Sequence, residues 1–204
     1  MKVKSTPGPL LAPVPSVMVS CGNMEESNII TIAWTGIINS NPPMTYISVQ
    51  RSRYSHDIIE ENGEFVINLA PTSLAKAMDF CGVRSGRDVD KFSSQGLTRE
   101  EADTVAAPLI AESPVNIECK VTEIVRLPSH DMFMAEITAV HIDDKYVDEK
   151  GAYDFGAMDL VAYNHGKYYR LMPEEIGTFG FSVMKPKTAK RRNAEKARRK
   201  RNRR

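Results

Sequence analysis

Residues 28–61, NIITIAWTGIINSNPPMTYISVQRSRYSHDIIEE, decide how the chain folds. Residues 28–38 are rich in Ile, Thr and Trp, and period-two alternation puts Ile30, Ile32 and Trp34 on one face and Thr31, Ala33 and Thr35 on the other, the signature of a half-buried strand. Pro42 and Pro43 cannot donate to a ladder, so they are expected to close a turn outside any central strand. Residues 44–50 alternate again, Ile47 and Val49 against Tyr46, Ser48 and Gln50. The strand pair ends in Arg51-Ser52-Arg53-Tyr54-Ser55, with Ser55 the expected N-cap of a helix running to about residue 62. Two guanidiniums, two hydroxyls and the free N–H groups of a helix start would then converge. Such a spot attracts anions, and suits a phosphate monoester better than a carboxylate.

Outward from this stretch, strands outnumber helices. Residues 16–21 and 64–70 read as strands, and 115–127 and 132–143 as two long alternating strands joined near Pro128 and His130. LVAY and KYYRL flank Asn164-His165-Gly166 as a shorter pair. Thr72 is expected to cap a second helix ending near Gly82, with one further helical turn at 88–92, while 99–113 carries no clear pattern. Hairpin-like connections dominate, which favours an antiparallel barrel with helical insertions over a doubly wound sheet.

Composition bounds the rest. A chain of 204 residues with 42% hydrophobic content can bury one real core, and no apolar run reaches membrane-spanning length. Cys21, Cys81 and Cys119 are odd in number and lack CxxC spacing, so the expected setting is a reducing cytoplasm. The net charge of +1 conceals two different objects. Residues 185–204 hold 12 of the 27 basic residues but one of the 26 acidic ones, leaving 15 and 25 in residues 1–184. The expectation is a domain over 1–184 carrying −10 and a disordered tail over 185–204 carrying +11, able to bind RNA, DNA or another polyanion. No dinucleotide fingerprint, phosphate loop, nucleophile elbow or HExxH is present, and His141-x-Asp143 is only half a metal site.

Several blocks in order carry a resemblance: VPSVMVSCG, the opening stretch, GEFVINLA, CGVRSGRDVDKF, APLIAESPVNIECKV and SHDMFMAEITAVHID. Together they resemble the flavin reductase-like, FMN-binding split-barrel family. The flavoredoxin branch is the nearest, through AWTG, SGRDVDKF and FGFSV. The resemblance covers about residues 13–183. It implies a mainly β fold, a six-stranded antiparallel Greek-key split barrel with helical insertions, assembled as a homodimer with FMN near the interface. It implies that Ala33, Trp34, Thr35, Ser40 and Asn41 line the flavin ring, and that Arg51, Ser52, Arg53 and Ser55 hold its phosphate. His56 and Lys91 stand as further candidates at the phosphate end, and His130 as a candidate on the nicotinamide side. Trp34 either borders the ring or fills the barrel. The implied function is FMN-dependent electron transfer fed by NADH, NADPH or a redox protein, the cofactor carrying the chemistry and no side chain being required as acid or base. The competing expectation is a silent FMN-binding barrel serving nucleic acid through its basic tail.

Overall fold

The computed structural model describes residues 1–172, 174–188 and 190–192. The chain divides into two compact units, Met1–Leu171 and Met172–Arg204. In the second, a 3-10 turn at Phe181–Val183 follows Gly180 (φ 79°), Arg192 donates to Thr178 Oγ1 at 2.9 Å, and residues 186–188 and 190–192 are helical. Residues 189 and 193–204 of the expected disordered tail lie outside the described residues.

The first unit is built on β1 (Val14–Pro15), β2 (Val17–Gly22), β3 (Ser27–Ile32), β4 (Thr35–Ser40), β5 (Pro43–Val49), α1 (Tyr54–Asn62) and β6 (Glu64–Leu69). A 3-10 turn at Thr72–Leu74 leads into α2 (Ala75–Val83), then α3 (Lys91–Gln95), β7 (Arg99–Glu100) and β8 (Leu109–Ile110). The long hairpin β9 (Val115–Arg126) and β10 (Asp131–Ile142) follows, and β11 (Val161–Asn164) and β12 (Lys167–Arg170) end the unit. One antiparallel sheet holds seven strands in the order β3-β2-β6-β9-β10-β5-β4, and a smaller one holds β1-β11-β12.

Seven strands stand where six were expected, and the sheet is not closed by hydrogen bonds. The extra strand arises inside the opening stretch, where 28–38 was expected to run as one. The ladder breaks at Ala33-Trp34: β3 pairs with β2 at one margin of the sheet, and β4 pairs with β5 at the other. Two residues join opposite margins, so the sheet must curl until they meet, the geometry of a split barrel. Pro43 also departs from the expectation. It begins β5 opposite Ser40, where the first residue of a strand tolerates the missing N–H.

Alternation fixes where the core lies. Val19, Cys21, Ile32, Ile47, Phe65, Cys119 and Phe133 point into the curled sheet and are buried. The opposite positions, Met18 and Ile29, pack with Met78, Cys81 and Phe92 from α2 and α3. Hence β2 is buried on both faces. The helix α2 lies close on β3, since a Cβ at Gly82 would come 3.2 Å from Thr31 Cβ.

Two expected caps are corrected. The N-cap of α1 is Arg53, with no side-chain cap bond, and Ser55 lies inside the first turn, buried, accepting from Asn28 Nδ2 at 2.8 Å. Thr72 opens the 3-10 turn rather than capping α2, its hydroxyl engaged by Asp159. Gly63 at φ 67° stops α1 as expected, its N–H reaching Ile59 O at 2.9 Å. Among the described residues no helix is long and apolar enough to cross a membrane.

Candidate functional site

A cleft of about 360 Å³ opens along the free margin of β3. Residues 30–34 form one wall and 48–50 the next; α2 contributes Asp79, Gly82 and Val83, and the small sheet Tyr163 and Tyr168. Lys91 Nζ donates to Ile29 O at 2.6 Å, so Ile29 faces away from β2. By strand alternation Thr31 and Ala33 present N–H and C=O toward that same open side. The wall therefore offers backbone donors and acceptors to the cleft.

Aromatic rings border the opening. Trp34 is 42% exposed, so it does not fill the barrel core. Its ring stands 4.6 Å from that of His130, tilted by 38°. Tyr163 and Tyr168 pair at 5.7 Å, and the Tyr168 hydroxyl donates to Asp79 Oδ1 at 2.9 Å. Burial, with the neighbouring Asp79 carboxylate, pushes Tyr168 up to about 12. Burial and the nearby Arg53 charge hold His130 below its ordinary value, which favours the uncharged imidazole at neutral pH.

The expected phosphate residues separate into two groups. Arg53 lines the cleft, occupies the uncapped N-terminus of α1, and has no carboxylate partner among the described residues. Arg51 is committed elsewhere: its Nε and Nη2 donate to Asp131 Oδ1 at 3.0 and 2.7 Å, and Nη2 also to Leu127 O at 2.8 Å. His56 is buried and shares the same acceptor, Nε2 to Asp131 Oδ2 at 2.9 Å. Lys91 is buried, and its ammonium serves Ile29 O and Cys81 O (2.8 Å), tying α3 to β3 and α2. Burial depresses its pKa. The Ser52 carbonyl accepts from Arg87. Thr35 Oγ1 donates to Tyr46 O at 2.6 Å at the start of β4, and Ser40 and Asn41 sit exposed on the β4–β5 turn. Ala33, Trp34, Arg53 and His130 thus meet at the cleft, and the other expected residues do not line it.

Arg87 was not singled out by the sequence. Its Nη1 reaches Ser52 O and its Nη2 Asp57 Oδ2, both at 3.4 Å, and its guanidinium carbon stands 5.1 Å over the Tyr54 ring. The signal that could have found it is Gly86: a Cβ there would meet Asn28 Oδ1 at 2.3 Å and Tyr54 Cδ1 at 2.7 Å. Only glycine lets this loop lie against the α1 start and bring a third arginine to it.

The expected half metal site also rearranges. His141 turns from Asp143 to the buried Glu118, Nε2 to Oε1 at 2.5 Å, with Asp103 alongside; one donor atom from each lies within 4.8 Å of the others.

Residues 11–172 match the family model of the flavin reductase like domain. The fold superposes on flavoredoxin of Desulfovibrio vulgaris (Miyazaki F) with a TM-score of 0.82 and 30% identity, covering 91% of this chain and 100% of that one. It superposes on flavoredoxin from Methanosarcina acetivorans with a TM-score of 0.82 and 28% identity, covering 90% and 100%. An FMN-binding protein from Thermus thermophilus shares the fold at a TM-score of 0.75 and 22% identity, covering 87% and 100%.

Proposed function

The chain belongs to the flavin reductase-like domain family, in its flavoredoxin branch, and from that membership we propose that it is an FMN-dependent redox protein. The flavin ring lies in the cleft against the open margin at 31–33, bordered by Trp34 and His130. The phosphate points to the N-terminus of α1, between Arg53 and Arg87. The observation that carries this reading is Arg53, a cation without an internal anion, on an uncapped helix start at the lip of an aromatic cleft. A helix start with an arginine beside it is an anion site, and the aromatic residues at the opening suit a flat ring. The residues present therefore fit FMN, which supplies the electron transfer when bound.

The protein's part is to bind, orient and shield. Backbone groups at Thr31 and Ala33 meet the polar edge of the ring, and neutral His130 offers a hydrogen-bonding partner without adding charge. NADH, NADPH or a redox protein delivers the electrons. Two copies assemble through the margin at β4, where Ile37 is 72% exposed and Ile38 is also exposed.

The test is phosphate-specific. Fluorescence titration of the flavin-stripped protein is expected to give about tenfold or more tighter binding of FMN than of riboflavin, the order expected of a charge-assisted phosphate contact. Arg53→Ala removes that preference, and equal preference in the variant overturns the placement. Anaerobic mixing with NADH and with NADPH, following the flavin absorbance, then identifies the donor.

A further inference from the structure

Three metal-ligating side chains meet on the outer face of the long hairpin, and none of them lines the flavin cleft. Cys119 points into the barrel core, so its neighbour Glu118 on β9 points out. His141 on β10 stands across from Asn116, two positions from Glu118 and therefore on the same face. Asp103 arrives from the loop between β7 and β8. Val105, Ala107 and Leu109 of that loop and strand pack on Val66, the β6 residue paired with Glu118, and hold the loop against this face. His141 Nε2 then lies 2.5 Å from Glu118 Oε1 and 3.8 Å from Asp103 Oδ2. Charge is out of balance here. Glu118 is fully buried, and its one ion-pair partner among the described residues is His141, which carries no fixed charge. Asp103 adds a second carboxylate to the same point. Buried charges in proteins are paired or bound to a metal, and a divalent cation would balance both carboxylates with the imidazole neutral.

We infer that Asp103, Glu118 and His141 bind a divalent transition-metal ion of the zinc class through Oδ2, Oε1 and Nε2, clipping the loop that carries Asp103 to the hairpin. The ion takes the place of the hydrogen between Nε2 and Oε1, and the imidazole proton then sits on Nδ1. The other bonds to the Glu118 carboxylate, from Asp103 N, Thr104 N and Thr104 Oγ1, are kept and orient it. Tetrahedral donors ~2.0–2.2 Å from zinc lie ~3.3 Å apart, so the His141–Glu118 contact opens slightly and the His141–Asp103 contact closes slightly. Asp103, on an exposed side chain, supplies that movement without disturbing the core. One imidazole nitrogen with two carboxylate oxygens suits Zn²⁺ or Co²⁺ over Mg²⁺ or Ca²⁺, which take oxygen ligands. Solvent fills the remaining position.

The experiment titrates full-length protein, freed of metal with a chelator, with Zn²⁺ by calorimetry and with Co²⁺ by visible absorption. Saturable one-to-one binding of each is expected, the cobalt spectrum showing oxygen and nitrogen ligands and no thiolate charge-transfer band. His141→Ala and Asp103→Ala should each weaken Zn²⁺ by about tenfold or more. Asp103→Ala alters an exposed side chain and keeps the backbone bond to Glu118, so it should retain the wild-type melting temperature and reads the site even where His141→Ala is destabilised. His165→Asn, at an exposed turn, should change the affinity by less than about twofold. Zn²⁺ should raise the melting temperature of the wild type and slow amide hydrogen exchange at Thr104, and should do neither in Asp103→Ala. Absence of binding to the folded wild type overturns the inference. So do equal affinities in the wild type and both variants, which would place the ion elsewhere on the chain, and a thiolate band, which would assign it to cysteine. Neither heat nor the cobalt spectrum reads flavin, so the result stands whether or not FMN binds.

Discussion

Asp131, at the start of β10, and Glu118, in the first third of β9, are both fully buried carboxylates on one hairpin, but cations surround the first and dipoles the second. Asp131 accepts from Arg51, from Arg126 Nη1 at 2.5 Å and from His56. Arg51 chiefly, with His56 and Arg126, holds its carboxyl far below the usual range, outweighing burial. Glu118 accepts from the backbone N–H of Asp103 at 2.8 Å, from Thr104 N at 2.6 Å and Oγ1 at 2.5 Å, and from His141. Burial alone would push Glu118 up, yet these hydrogen bonds bring it down to about 2. The difference teaches how an arginine-rich elbow is divided. An internal carboxylate claims Arg51, whereas no carboxylate claims Arg53 among the described residues. Around Glu118 no arginine is spent; the carboxylate instead pins the 103–104 loop to the sheet.

The comparison is tested most severely at Asp131. Asp131→Ala takes the shared acceptor from the buried His56 and from two half-exposed guanidiniums and should cost about 1.5–3 kcal/mol in urea unfolding; a loss below about 1 kcal/mol would put the cluster among ordinary surface pairs. Next in size is the divided elbow. Arg53→Ala should lower FMN affinity by about 1.5–3 kcal/mol without changing the melting temperature, whereas Arg51→Ala should lower stability and keep most of the FMN-over-riboflavin preference. The double variant should match Arg53→Ala in that preference; an added loss from Arg51 would reunite the two arginines in one phosphate site.

Glu118→Gln, which sets an NH₂ against N–H donors, should cost about 1–3 kcal/mol. Its pH signature has a definite sign. A carboxyl with a depressed folded pKa contributes stability above its unfolded value of about 4.5 and loses it as pH falls toward about 2. Wild-type unfolding midpoints should therefore drop across that window, and less so in Glu118→Gln. The smallest effect is that of salt. Arg51 and Arg126 are about half exposed, so 1 M NaCl should weaken the Asp131–Arg126 coupling in a double-mutant cycle and leave Glu118–Thr104 unchanged.

Local chemistry was readable in the sequence where it alone decides the outcome. The alternation of 115–127 and 132–143 gave the long hairpin, and His165-Gly166 its smaller counterpart, with φ of 47° and 87° at the turn. Gly63 ended α1 where a left-handed residue was needed. The site was half legible. Ala33, Trp34, Arg53 and His130 converge because the strands carrying them do, whereas the fate of Arg51 depends on Asp131, 80 positions away, which no periodicity reports. Ser55 has the composition of a cap, but Asn28 offers it a buried partner and the cap falls two residues earlier, at Arg53. The break at Ala33-Trp34 was hidden because both halves alternate properly; only pairing with different neighbours separates them.

That break makes residues 33–34 a clasp. As long as the peptide is continuous there, the two rims of the sheet cannot drift apart by more than the span of a dipeptide, whatever happens to the ligand. A circularly permuted protein, with its native ends joined and new ends placed at this point, would keep every ladder and lose only the tether. If the clasp and not side-chain packing sets the curl, that variant should relax toward a flatter sheet and lose the slot beside Trp34 before it loses its fold.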